Sequence, residues 1–156
     1  MIKKLDHITF AVYDRSVTGK RMANVYGGKF LMSVESKEKE YVCDMYLIPG
    51  DIIIGLLQPT SENSFVSKHL DKYGESLQHI GIDVEDLDVC KQVFADNGIK
   101  FSPTEEVEGV RREVLISARN AFGAIVQVMD WLGEYKTTSS KARMEKVWSE
   151  LQGKAL

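Results

Sequence analysis

Leu5-Asp6-His7-Ile8-Thr9-Phe10-Ala11-Val12-Tyr13-Asp14 returns 72 positions later as Leu77-Gln78-His79-Ile80-Gly81-Ile82-Asp83-Val84-Glu85-Asp86. Leucine, histidine, isoleucine, valine and aspartate each recur at matched places. A second piece keeps the same offset, since Ile53-Ile54-Gly55-Leu56-Leu57 precedes Ile125-Val126-Gln127-Val128-Met129 by 72 residues. Chance similarity of a single strand would not produce two pieces with one offset, so the chain reads as a doubled unit. Two histidines at matched places of such a repeat fall on opposite sides of a local two-fold axis, where they can converge on one site.

Each copy spells the same order of elements. Residues 4–12 alternate apolar and polar with the period of a half-buried strand. Asp14 or Ser16 caps a helix running to about Tyr26, and Gly27-Gly28 supplies its left-handed stop. Lys29–Ser36, Glu40–Ile48 and residues 52–58 read as strands, the last two joined by the Pro49-Gly50-Asp51 turn. A connector over 60–76 carries a short helix from Ser64 to about Tyr73. The second copy has a strand at 77–84, a helix from Asp86 to Asn97, and strands near 99–102, 111–117 and 123–130. A terminal helix over about 139–152 follows, with Met144, Val147, Trp148 and Leu151 as an apolar stripe for its own domain or a second subunit. The expected fold is α+β: two βαβββ modules, 4–59 and 77–131, related by a pseudo-two-fold axis within a single domain over 1–156, with a C-terminal helix appended.

Composition narrows the function classes. With 156 residues and 44% hydrophobic content the chain buries one sizeable core. A net charge of −3 without basic blocks argues against nucleic acid or a membrane surface as partner. Cys43 and Cys90 show no CxxC spacing, which fits a reducing compartment and excludes a cysteine zinc cluster. No apolar run approaches the roughly 20 residues of a membrane span, and no signal peptide precedes the first strand, so a cytoplasmic location is expected.

Strand alternation sorts the side chains by face. Ile8, Phe10 and Val12 share one face of the first strand, which turns His7 and Thr9 to the other. Ile80, Ile82 and Val84 do the same for His79 and Gly81. Val126 and Val128 leave Gln127 on the histidine face, where its repeat mate is Gly55.

The doubled βαβββ unit, the strand-borne histidines, the stretch Gly50-Asp51 through Leu57-Gln58-Pro59, the Phe65–Gly74 helix and Glu75-Ser76-Leu77-Gln78-His79-Ile80 resemble the vicinal-oxygen-chelate superfamily of glyoxalases, bleomycin-resistance proteins and dioxygenases. Within it the resemblance is to methylmalonyl-CoA epimerases and their relatives, across roughly residues 4–131. It implies a mixed sheet cupped around a divalent metal such as Co, Mn, Zn, Ni or Fe, with His7, His79 and Gln127 at ligand positions. Gln127 stands where the epimerases have glutamate, and Gly55 where they have glutamine or glutamate, so affinity for the metal is expected to be weak. Asp44 matches a carboxylate base of the epimerases. Counting back from Ala118, taken as the repeat mate of Pro49, makes Glu113 the symmetry partner of Asp44. Arg111 and Arg112 follow a bend where the epimerases carry a loop near the coenzyme, and paired arginines suit phosphate or carboxylate. The resemblance implies a metal-assisted isomerase or epimerase working through an enolate on a small carboxylated or acyl-CoA substrate, in a homodimer. Two alternatives stand beside it: a non-catalytic small-molecule binder of the resistance type, and a dioxygenase or lyase on a two-histidine site.

Overall fold

The computed structural model describes residues 1–153. Among the described residues, eight strands and four α-helices follow one another as β1 (Ile2–Ala11), α1 (Arg15–Tyr26), β2 (Lys29–Ser36), β3 (Tyr41–Ile48), β4 (Ile52–Pro59), α2 (Phe65–Tyr73), β5 (Ser76–Val84), α3 (Leu87–Asp96), β6 (Glu105–Val107), β7 (Arg111–Ile116), β8 (Ile125–Trp131) and α4 (Ser140–Gly153). The fold class is α+β. Two compact units divide the chain: residues 7–78, and residues 1–6 together with 79 onward.

In the first unit the strand order is β2-β3-β4-β1, with β1 and β4 parallel and the rest antiparallel. In the second it is β5-β8-β7-β6, with β5 and β8 parallel. The repeat holds at the level of register. Thr9 lies opposite Gly55 and Gly81 opposite Gln127, so both members of each pair keep the offset of 72.

The helix starts are duplicated too. The first N–H groups of a helix have no partner within it and must find acceptors elsewhere. Asp14 accepts from the Ser16 and Val17 amides at 2.8 and 3.1 Å, and Asp86 accepts from Asp88 and Val89 at the same distances. The next orphan amide is met from the closing strand. Gln58 Oε1 accepts from Arg15 N at 3.0 Å, and its repeat mate Asp130 accepts from Leu87 N at 3.3 Å. Gly27, with φ 69°, ends α1 in the left-handed region that other residues avoid.

One expected strand is reduced. At 99–102 only Phe101 forms an isolated bridge, to Ile116, and β6 forms three residues later at Glu105–Val107. Ser102 interrupts the ladder by offering its hydroxyl as well as its amide. Leu115 N donates to Ser102 Oγ at 2.9 Å, while Ser102 N donates to Leu115 O at 2.9 Å. Pro103, which has no N–H to donate, follows at once. In the C-terminal helix Met144 and Val147 are buried as the stripe predicts, while the side chains of Trp148 and Leu151 lie outside the described residues.

Candidate functional site

In the first unit the histidine-bearing face is mostly apolar. His7 is buried beside Ile53, and Gly55 has Thr9 on one side and Met45 on the other. Cys43 and Leu57 pair on the same face, both buried. Burial, and secondarily the charge of Asp44, push the Cys43 thiol from its ordinary 9.0 to about 12. Such a thiol is inert. Gly55 is there because nothing larger fits: a Cβ would stand 2.9 Å from Thr9 Oγ1 and 3.2 Å from Cys43 Sγ.

Asp44 is on the other face. It pairs with Leu56, which belongs to the cluster of Val12, Tyr46, Ile54 and Leu56 that packs with Ile8, Phe10 and Met22. Its carboxylate meets the Arg15 guanidinium at 2.5 Å, and the same Nη1 reaches Ser33 Oγ at 3.2 Å. The register puts Asp44 on the face opposite His7, and it corrects the pairing of Asp44 with Glu113. Asp44 lies opposite Leu56, whose repeat mate Val128 lies opposite Val114, so the mate of Asp44 is Val114. Counting back from the turns misleads because β3 and β4 close across 49–51, whereas β7 and β8 close across 117–125.

In the second unit the histidine-bearing face carries charge. His79, half-buried, shares it with Gly81, Asp83, Gln127 and Met129, and β7 adds Arg111, Glu113 and Leu115. Gln127 Nε2 donates to Glu113 Oε2 at 2.8 Å, and Arg111 Nη2 stands 2.6 Å from the same oxygen. Arg111 in turn lies 5.3 Å over the Trp131 ring. Arg112 points the opposite way, as neighbours on a strand must, and bridges Asp88 at 2.8 Å and Asp130 at 3.0 Å. Its hydrogen bond, with its charge, holds the Asp88 carboxyl below the ordinary value. Arg111 and Arg112 therefore do not form one anion clamp.

A buried cluster on this face was not singled out in the sequence. Arg143 of α4 is fully buried with its Nη1 at 3.3 Å from Asp6 and 3.0 Å from Asp83, both fully buried as well. Its Nε and Nη2 donate to the carbonyls of Tyr135 and Lys136, and its guanidinium lies 4.9 Å over Trp131. Trp131 Nε1 donates to Asp6 Oδ2 at 3.1 Å. The signal was present: Asp83 shares the parity of His79, and Arg143 adjoins Met144 on the inward stripe of α4.

The donor set does not fit the divalent metal that the resemblance implies. Gly55 offers no side chain and has no room for one. Gln127 can offer only its neutral Oε1, with no charge for a cation, and its N–H turns toward Glu113, whose charge Arg111 already meets. No group of three or more His, Cys, Asp and Glu among the described residues is placed to hold a metal ion.

Against this geometry, comparisons with known proteins identify the family. The model of the glyoxalase/bleomycin resistance protein/dioxygenase superfamily matches residues 6–115, and the chain belongs to that superfamily. An uncharacterized Bacillus subtilis protein, YqjC, is 26% identical over 136 residues, covering 85% of this chain and 96% of its own. Methylmalonyl-CoA epimerase from Mycobacterium tuberculosis superposes with a TM-score of 0.73 at 21% identity, over 88% of this chain and 93% of that one. A Streptomyces coelicolor methylmalonyl-CoA epimerase variant in complex with 2-nitronate-propionyl-CoA gives 0.71 at 23% identity, over 84% and 96%. At these identities the two epimerase structures establish the likeness of fold. No described helix is long and apolar enough to cross a membrane.

Proposed function

We propose that this protein is an epimerase-like isomerase that moves a proton on the carbon next to a carbonyl, in a small carboxylated or acyl-CoA substrate. The observation that carries the reading is the carboxylate of Glu113. Its side chain is only 12% exposed, and Arg111 and Gln127 anchor it at 2.6 and 2.8 Å on the face that bears His79. A carboxylate held in one orientation by two donors is positioned to accept a proton from a substrate lying on that face. When it does, the α C–H bond breaks, an O–H bond forms on Glu113, and the electron pair passes into the enolate. Arg111 remains beside the reacting groups as negative charge moves from the carboxylate to the substrate. The epimerases of similar fold, one with an acyl-CoA analogue, supply the substrate class.

Exchange of the α-proton with solvent requires a single base, so it tests this step alone. In deuterium oxide, wild-type protein is expected to label the α-carbon of methylmalonyl-CoA or propionyl-CoA, and Glu113→Gln to lower the rate by about 10²-fold or more. Exchange unaffected by Glu113→Gln sinks the assignment.

A second reading rests on the first unit. Its histidine-bearing face sets Cys43, Met45, Ile53, Gly55 and Leu57 around His7 and Thr9, an apolar wall with no carboxylate. These side chains are buried, and a binder of small hydrophobic molecules would seat its ligand by opening them. Saturable binding of the acyl-CoA without any exchange favours it over the isomerase.

A further inference from the structure

The α1 side of the first unit holds a cavity of about 720 Å³, within the ordinary range of small-molecule sites. Arg15, Lys20, Asn24, Phe30, Asp44 and Tyr46 are among its lining residues. It lies on the opposite face of the sheet from His7, so it is separate from the histidine-bearing face discussed above.

The repeat shows what this space looks like when it serves folding alone. The mates of Arg15, Asp44 and Tyr46 are Leu87, Val114 and Ile116, all buried in one apolar cluster with Val84, Cys90, Val126 and Val128. Phe94 and Phe101 pack against that cluster with their rings 6.1 Å apart. In the first unit the ion pair Arg15–Asp44 stands where the second has Leu87 and Val114. With Arg15 36% exposed and Asp44 buried, such a pair adds little that the apolar residues at the same places would not, because screening and desolvation offset the attraction. Packing therefore does not account for a charged floor beneath an open cavity.

We propose that this cavity binds an aromatic carboxylate. Asp44 and Ser33 both engage Nη1 of Arg15, which fixes the plane of the guanidinium. Nη2 and Nε have no partner among the described residues, and the side chain is 36% exposed, so an edge of the fork is presented for a second carboxylate. Lys20, one turn along α1 from Ser16, forms no ion pair among the described residues and adds a second cation at the rim. Asp14, the other acid nearby, is committed to the Ser16 and Val17 amides. Phe30 is 56% exposed, meets Tyr46 edge-to-face with 5.5 Å between centroids, and offers its exposed ring surface to an aromatic body. Gly19 completes the wall: a Cβ there would collide with the Tyr46 hydroxyl.

The test is calorimetric titration of the full chain with 2-naphthoate, and with 2-naphthalenemethanol as the same ring without charge. One-to-one binding of the acid with a Kd below about 1 mM is expected. Lys20→Gln and Arg15→Gln are each expected to weaken it by about tenfold or more. Lys20 is exposed, so its variant keeps the test valid should Arg15→Gln misfold. Ala23→Phe, which fills the cavity from α1, is expected to abolish binding, and Glu113→Gln, on the other unit, to leave it unchanged. No saturation by about 10 mM acid overturns the proposal. Equal affinity for the alcohol, or full affinity in Ala23→Phe or Lys20→Gln, overturns it as well.

Discussion

The two units share one topology and one register but fill matched positions with different chemistry. In the first, the helix side holds the ion pair Arg15–Asp44 and the histidine side is lined by Cys43, Met45, Ile53 and Leu57. In the second, the matched helix-side positions hold Leu87, Val114, Ile116 and Val128, with the Arg112–Asp130 pair at the strand ends, and the histidine side carries Arg111, Glu113, Asp83 and Arg143. Backbone pairing and helix caps were kept through the duplication because every backbone amide needs a partner. Side chains were freer to diverge, and Arg15 and Asp44 of the first unit stand where the second has Leu87 and Val114.

The largest effect is expected where the second unit buries charge most deeply. Arg143→Met leaves Asp6 and Asp83 without their shared cation and should cost about 3–5 kcal/mol in urea denaturation. A loss below about 1 kcal/mol would show that these carboxylates do not depend on Arg143.

A smaller effect is expected on the apolar histidine side of the first unit. Gly55→Gln puts a Cβ against Thr9 and Cys43 and should lower stability by about 1–3 kcal/mol. A variant as stable as wild type would mean that this face is looser than the contacts around Gly55 imply, and would reopen the ligand position there.

Converting the first unit to the pattern of the second sharpens the comparison directly. Arg15→Leu combined with Asp44→Val introduces the mates from the second unit and should be neutral or stabilising, by up to about 1 kcal/mol. Clear destabilisation in thermal unfolding would show that the ion pair is a structural requirement of this unit and would weaken the case that it serves a ligand.

The smallest effect concerns Cys43. Its folded thiol titrates near 12 and an unfolded thiol near 9.0, so the unfolded chain loses its proton first as pH rises. This contribution to stability is complete below pH 9.0 and is lost between there and about pH 12. Peptide mapping after iodoacetamide treatment at pH 9 should find Cys43 slow to alkylate in folded protein. Asp44→Asn removes the second cause of the shift and should speed the reaction. Rapid alkylation of folded wild type would place Cys43 in a more open environment than the apolar face described.

The sequence by itself determined the repeat, the order of elements, and the faces of His7, His79 and Gln127. Those follow from properties that alternate residue by residue: a strand's period of two and the chemistry of Asp14 and Asp86 at helix starts. It also held the signs of the buried cluster, in Asp83 on an apolar strand and Arg143 beside Met144, without showing that they meet. Only tertiary structure decided which face Asp44 takes, because a strand's partner register depends on how each hairpin closes, and a shift of one residue reverses every side chain. The same cause moved Glu113 away from its supposed mate and set Val114 there. Tertiary structure also decided what surrounds each side chain. Whether Arg15 serves as a solvated helix residue or as the floor of a cavity depends on Asp44, Ser33 and Phe30, which the chain brings to it from 15 or more residues away.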